Sequence, residues 1–130
     1  MVKDFFLSRV RAFHYAFQGW SYVLRTQRNA WIHSLIATIV FLLGLWLDLS
    51  LQDWAIIILT AAFVFSAEFI NTALEAVVDL ATSEHHPLAK IGKDVGAAAV
   101  LVAALSAILI GLLLLGPPLW AKLIPLITNS

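Results

Sequence analysis

The sequence predicts an all-helical integral membrane protein, three transmembrane helices behind an amphipathic surface helix, and three observations predict it. Of its 130 residues 62% are hydrophobic and only 12% are charged, against about 25% charged in soluble domains, and the mean hydropathy is +0.92. The apolar residues gather into three long runs, and about 20 apolar residues cross a hydrocarbon core of roughly 30 Å. Lys and Arg are unevenly distributed between the segments that flank those runs, as they are in multi-pass proteins.

Taken in chain order, the first element is the surface helix, in the region 1–28. Phe6, Val10, Phe13, Phe17, Trp20 and Leu24 recur at alternating steps of four and three, while Arg11, His14, Gln18 and Arg25 lie mostly elsewhere on the wheel. That pattern suits a helix lying in the membrane surface, anchored by its aromatic stripe. The first span, 30–47, carries no formal charge. It is followed by the short connector Asp48 to Asp53, which forces an antiparallel hairpin with the second span, 54–78. The second connector, Leu80 to Gly92, is polar and contains the helix breaker Pro87. The third span, 95–115, offers Gly96, Ala103, Ala107 and Gly111 as small residues that let helices approach closely. Gly116-Pro117-Pro118 is expected to stop it, leaving a tail that holds Trp120 and Lys122. Residues 1–130 thus read as a single membrane domain.

Charge placement sets the expected topology. Lys3, Arg9, Arg11, Arg25 and Arg28 precede the first span, the first connector has two aspartates and no Lys or Arg, and the second connector is basic again. The N-terminus and the second connector are therefore expected on the cytoplasmic side, with the C-terminus outside. No signal-peptide pattern is present, so the N-terminal segment is expected to be retained. The formal net charge is zero, which gives no support to nucleic-acid binding. The chain has no cysteine, which excludes disulfides, thiolate zinc sites and cysteine nucleophiles.

Four polar side chains interrupt the second span. Glu68, Asn71, Glu75 and Asp79 fall at i, i+3, i+7 and i+11, which confines them to one stripe roughly 80° wide on a helix. A charge near a bilayer centre costs about 2.5–3.5 kcal/mol on insertion scales, so carboxylates in such a segment are read as functional. Depth divides the stripe. From the outer end Glu68 lies about 21 Å along the span and Glu75 about 10 Å further, at 1.5 Å per residue. Glu68, deep and short of water, suits a proton acceptor. Glu75 and Asp79, near the interface, suit a hydrated cation such as magnesium, which leans on one or two carboxylates plus substrate phosphates. Lys90, Lys93 and Asp94 lead into the third span, whose free N–H groups and positive dipole end favour a phosphate. Such a kit fits transfer of a phosphoryl group from a nucleotide to an alcohol at the membrane surface. The same carboxylates fit an ion or proton carrier, an inactive membrane packing module or a structural inter-helix network, and the residues alone leave these open. No Walker glycine loop is present. His33 reads as a packing or interfacial histidine, and His85 and His86 as loop residues.

The motif Glu68-x-x-Asn71-Thr72-Ala73-x-Glu75-x-Val77-Val78-Asp79, with His86-Pro87-Leu88-Ala89-Lys90, Lys93-Asp94-Val95 and Ala98-Ala99-Val100-Leu101, resembles the signature of the small prokaryotic diacylglycerol kinase family, which includes undecaprenol kinases. The resemblance runs from about Phe5 to Gly111. It implies a homotrimer of three-span subunits in the prokaryotic cytoplasmic (inner) membrane, with ATP and magnesium (Mg2+) as co-substrate and cofactor. The implied reaction is transfer of the γ-phosphoryl group to the hydroxyl of a membrane lipid alcohol, diacylglycerol first and undecaprenol second. Residue by residue, Glu68 resembles the family's general base, Asn71 its active-site asparagine, Glu75 the metal-binding glutamate and Lys93 the lysine at the γ-phosphate. Asp79, Lys90 and Asp94 match residues around the nucleotide, as Tyr15 and Arg11 do from the surface helix, where fewer residues carry the match.

The chain departs from that pattern at two places. Where the family commonly has a glutamate two residues ahead of an asparagine, as a second metal ligand, this chain has Gln27 ahead of Asn29; Ser8 stands where some members have an arginine. A glutamine carbonyl ligates magnesium without bringing charge, so the site is expected to hold the metal less tightly. Gln27→Glu is therefore expected to lower the magnesium concentration needed for half-maximal phosphoryl transfer; an unchanged requirement would overturn this account of Gln27.

Overall fold

The computed structural model describes residues 2–128. They form four helices, α1 (Val2–Thr26), α2 (Arg28–Trp46), α3 (Leu51–Ala81) and α4 (Pro87–Thr128), with no strand among them. Helices α2, α3 and α4 are each long and apolar enough to cross a membrane. The most extensive contact is between α3 and α4, with α2 packed more sparsely against α3. Most large apolar side chains point outward, as they do where lipid or a neighbouring chain is the solvent.

The hydroxyls of Ser34, Thr38, Thr60 and Thr72 are satisfied within their own helices. Ser34 Oγ donates to the Ala30 carbonyl at 2.7 Å, Thr60 Oγ1 to the Ile56 carbonyl at 2.7 Å, and Thr72 Oγ1 to the Glu68 carbonyl at 2.9 Å. In hydrocarbon this back-bonding removes an otherwise unpaired donor.

The α2–α3 turn is built from local chemistry. Asp48 takes φ 55°, a left-handed conformation that Asp tolerates better than most residues. Its N–H bonds the Leu45 carbonyl, and the Leu49 N–H bonds the Gly44 carbonyl, the two bonds that close a helix C-terminus in a Schellman arrangement. Ser50 then caps α3: its Oγ accepts from the Asp53 N–H at 3.2 Å while the Asp53 carboxylate accepts from the Ser50 N–H at 3.2 Å. Gly44 lies where any Cβ would come within 2.9 Å of the Trp54 ring, so its missing side chain lets α3 close on α2. Asp53 thus belongs to α3 rather than to the connector.

The end of the third span differs from expectation. Gly116-Pro117-Pro118 does not stop it: α4 runs on to Thr128 with Pro117, Pro118 and Pro125 inside the helix. The prolines leave the carbonyls of Leu113, Leu114 and Ala121 without their usual helical donors, yet proline's φ is itself helical. Gly116, having no Cβ, avoids the clash that a proline ring imposes on the residue before it. The extension is held from outside itself, since Lys122 Nζ donates to the Trp46 carbonyl, reaches Asp48 Oδ2 at 3.3 Å, and lies 5.0 Å from the centre of the Trp46 ring. Lys122 therefore caps the C-terminus of α2 from the far end of α4.

The α3–α4 connector is also shorter than expected, because α4 begins at Pro87. His86 caps it, its Nδ1 accepting from the Leu88 N–H at 3.2 Å, with proline following at the first helical position. Ser50→Ala is expected to destabilise the folded protein by about 1 kcal/mol, the usual worth of such a cap, measured by denaturant unfolding in mixed micelles.

Candidate active site

The α3 stripe grades from fully buried to exposed. Glu68 is 1% exposed and Asn71 7%, Glu75 is half-buried and Asp79 exposed. Burial at the deep end follows from the approach of α4, where a Cβ on Gly96 would collide with Asn71 Oδ1. Glycine at 96 is thus more than a generic small residue, since it makes room for this one amide. Asn71 Nδ2 donates to Glu75 Oε1 at 3.0 Å, joining the buried and half-buried parts of the stripe. Among the described residues Glu68 Oε2, Asn71 Oδ1 and His33 Nε2 are buried without a hydrogen-bond partner. An unmet buried polar group costs about 1–3 kcal/mol, so atoms left this way are candidates to meet a substrate.

The shallow end opens into a cleft of about 760 Å³ between the end of α3, the connector and the first turns of α4. Asp79, Ser83, His85, His86, Lys90, Lys93 and Asp94 line it. Lys93 Nζ donates to Asp79 Oδ1 across the two helices, and Lys90 Nζ donates to Asp94 one turn along α4. The expected use of free N–H groups beside these lysines is corrected by the early start of α4: Lys93 lies well inside the helix, and His86 occupies the Leu88 N–H. Any anion in the cleft therefore meets lysine side chains rather than an uncapped helix end. The role of His86 as a helix cap escaped the sequence reading, although a polar residue directly before proline was the signal for it.

A second, largely apolar groove of about 400 Å³ runs between α1 and α2, lined by Phe17, Trp20, Ser21, Leu24, Arg25 and Trp31. The Trp20 ring packs edge-on against Phe69 at 5.2 Å between centroids, so this groove approaches α3 at Phe69. The structure thus joins Asn71 to Glu75, with Glu68 buried one turn before them on α3, and separately gathers Asp79, Lys90, Lys93 and Asp94. Gln27 is half-buried at the N-cap of α2 and makes no side-chain cap bond. Arg11 and Tyr15 are exposed on α1 and do not line the charged cleft of their own chain.

A bundle with three helices fit to span a membrane, and a polar face running from a buried carboxylate to a lysine-lined cleft, is an integral membrane protein with an enzyme-like site. Residues 14–115 match the family model described as prokaryotic diacylglycerol kinase, and the chain belongs to that family of lipid kinases. It is 43% identical over 109 residues to the undecaprenol kinase of Bacillus subtilis (strain 168), covering 84% of this chain and 89% of that protein. It is also 43% identical over 114 residues to a diacylglycerol kinase of Synechocystis sp., covering 87% of this chain and 65% of that protein. With the diacylglycerol kinase of Escherichia coli (strain K12) it shares 34% over 95 residues, 68% of this chain and 78% of that one.

Gly96→Ala is expected to displace Asn71, break its bond to Glu75 and lower kcat for phosphoryl transfer at least tenfold. Wild-type kcat in folded Gly96→Ala protein would show that the close approach has no functional weight.

Proposed function

We propose that this chain transfers the γ-phosphoryl group of ATP to the hydroxyl of a membrane lipid alcohol, with diacylglycerol as the leading substrate and phosphatidic acid as its product. One observation supports it above the others: α3 alone joins a buried carboxylate, Glu68, to an exposed one, Asp79, that is paired with a lysine in a polar cleft. An apolar acceptor and a charged donor can then meet along one helix. The 43% identity to the Bacillus subtilis undecaprenol kinase favours undecaprenol as the second reading. In this proposal the protein works as a homotrimer in the prokaryotic inner membrane, with its N-terminus and site on the cytoplasmic side. Arg11 and Tyr15, outside their own chain's cleft, would then serve a neighbouring subunit's nucleotide.

Glu68 takes the lipid hydroxyl proton as the oxygen attacks the γ-phosphorus, Asn71 steadies Glu75, and ADP departs toward the cleft. Lys93 exchanges Asp79 for the γ-phosphate, and Lys90 and Asp94 flank the nucleotide. Catalysis is then mostly positioning and charge neutralisation. The donor set fits magnesium arriving on ATP rather than a resident ion: among the described residues no three His, Cys, Asp or Glu side chains converge as a metal site. The half-buried Glu75 and the uncommitted amide of Gln27 are hard oxygen ligands suited to complete the shell of a phosphate-bound ion. Bound there, the ion would offset charge on the transferring phosphoryl group.

The proposal is tested with purified protein in mixed micelles, labelled ATP, magnesium and either lipid. Label is expected in the lipid phase, reduced about 10²-fold or more in Glu68→Gln and strongly reduced in Glu75→Gln. No transfer to either alcohol by folded protein would falsify the kinase reading, and transfer to undecaprenol alone would replace the leading substrate with the second.

A further inference from the structure

Lys93 and Asp79 hold each other in the cleft whose proposed guest is a phosphate. Lys93 Nζ donates to Asp79 Oδ1 at 2.5 Å, and among the described residues neither side chain has a second hydrogen-bond or ion-pair partner. The pair crosses between helices, unlike Lys90 and Asp94, which lie one turn apart on α4. Helix packing fixes where the lysine starts. A Cβ on Gly96 would collide with Asn71, and one on Gly92 would meet Val78 at 3.7 Å, so Lys93, between the two glycines, leaves α4 level with the α3 turn that holds Glu75 and Val78. Asp79 lies one turn beyond Glu75, roughly 6 Å along the axis. A lysine amine on its flexible four-carbon stem covers that distance by rotamer changes alone. It can therefore serve Asp79 or a phosphate beside Glu75 while both helices stay in place. The two side chains are 39% and 65% exposed, and an ion pair so open to water holds weakly.

We propose that Asp79 is a positioning residue acting through Lys93: it holds the amine in the empty site, yields it to the γ-phosphate of ATP, and takes it back from the phosphorylated lipid. This rests on the kinase reading, in which Lys93 meets the γ-phosphate. A phosphate group brings up to two charges and three acceptor oxygens against the single charge of a carboxylate, so it displaces Asp79 while it is present. In the transfer step the lipid O–H bond breaks and its proton goes to Glu68. The freed electron pair forms the new O–P bond, the bond from phosphorus to the β–γ bridging oxygen breaks, and that pair leaves with ADP. The phosphoryl group now belongs to the lipid and still sits on Lys93. A carboxylate within reach of the same amine lowers the cost of letting it go. The same competition weakens the hold on ATP by a similar factor, and it leaves ADP, which has no γ-phosphate, untouched. Asp79 gains and loses no proton.

The test compares wild type, Asp79→Asn, Lys93→Met and the double variant in mixed micelles. Calorimetry reads the binding of magnesium–AMP-PNP and magnesium–ADP, the transfer assay reads inhibition by added dioleoyl phosphatidic acid, and thermal unfolding serves as a fold control. Asp79→Asn is expected to tighten AMP-PNP about two- to fivefold, the scale set by an exposed ion pair, with ADP unchanged. Phosphatidic acid is expected to inhibit Asp79→Asn at a concentration lower by about the same two- to fivefold. Adding Asp79→Asn to Lys93→Met is expected to tighten nothing, because the shared amine is gone. Equal tightening of ADP and AMP-PNP would show a general charge effect in the cleft and overturn the exchange. Weaker AMP-PNP binding in Asp79→Asn would make Asp79 a holder of nucleotide or metal, and unchanged binding would leave it a strap between helices; either overturns the proposal. Tighter AMP-PNP with unchanged inhibition by phosphatidic acid overturns the release step. In each of these cases transfer by wild type leaves the kinase reading intact, whereas absence of transfer by wild type removes both readings together.

Discussion

Keeping one carboxylate dry is the constraint around which this bundle is arranged. Glu68 needs α3 to be covered on the side it faces, and α4 comes close to that side of the helix at Gly96, where there is no room for a Cβ beside Asn71. A larger residue at 96 would hold the two helices apart. In the proposed reaction that burial would serve Glu68 as the group that takes the lipid hydroxyl proton. Its neighbours then follow in order of depth, from the linked pair Asn71 and Glu75 to the lysine-bound Asp79.

Everywhere else the chain removes polar cost rather than accepting it. Hydroxyls on α2 and α3 fold back on their own helices, the α2–α3 turn closes both helix ends with local bonds, and His86 serves the first turn of α4. Charges cluster at the ends of the helices, in pairs such as Lys93 with Asp79 and Lys90 with Asp94. Against that background three unmet polar atoms, on His33, Glu68 and Asn71, stand out as the part of the interior that is not self-sufficient.

Much of this was legible in the residues. The helical class followed from apolar runs of membrane length, and the grading of the stripe from residue spacing, since period and rise are fixed by backbone geometry. The signature motif pointed to the family that residues 14–115 match. What was not legible depends on through-space partners. Gly116-Pro117-Pro118 has every local mark of a helix end, and only the distant anchor of Lys122 on Trp46 and Asp48 shows how the segment beyond it is held. Gly96 looked like one small residue among many until the Asn71 amide was seen against it.

The clasp made by Lys122 gives the bundle a mechanical asymmetry. At the end of the α2–α3 turn, α2, α3 and α4 are joined by a tight turn, a helix cap, a ring packed on a glycine and the lysine. At the other end the α3–α4 pair is joined by a five-residue connector, 82–86, by the exchangeable pair of Lys93 with Asp79, and by the packing of Gly92 on Val78 and Gly96 on Asn71. Three long rods riveted at one end behave as a lever: a small rotation about the rivet becomes the largest displacement at the free tips. Residue spacing puts Asp79 and Lys93 at those tips and Glu68 nearer the fulcrum, so opening the mouth of the charged cleft moves the buried glutamate least.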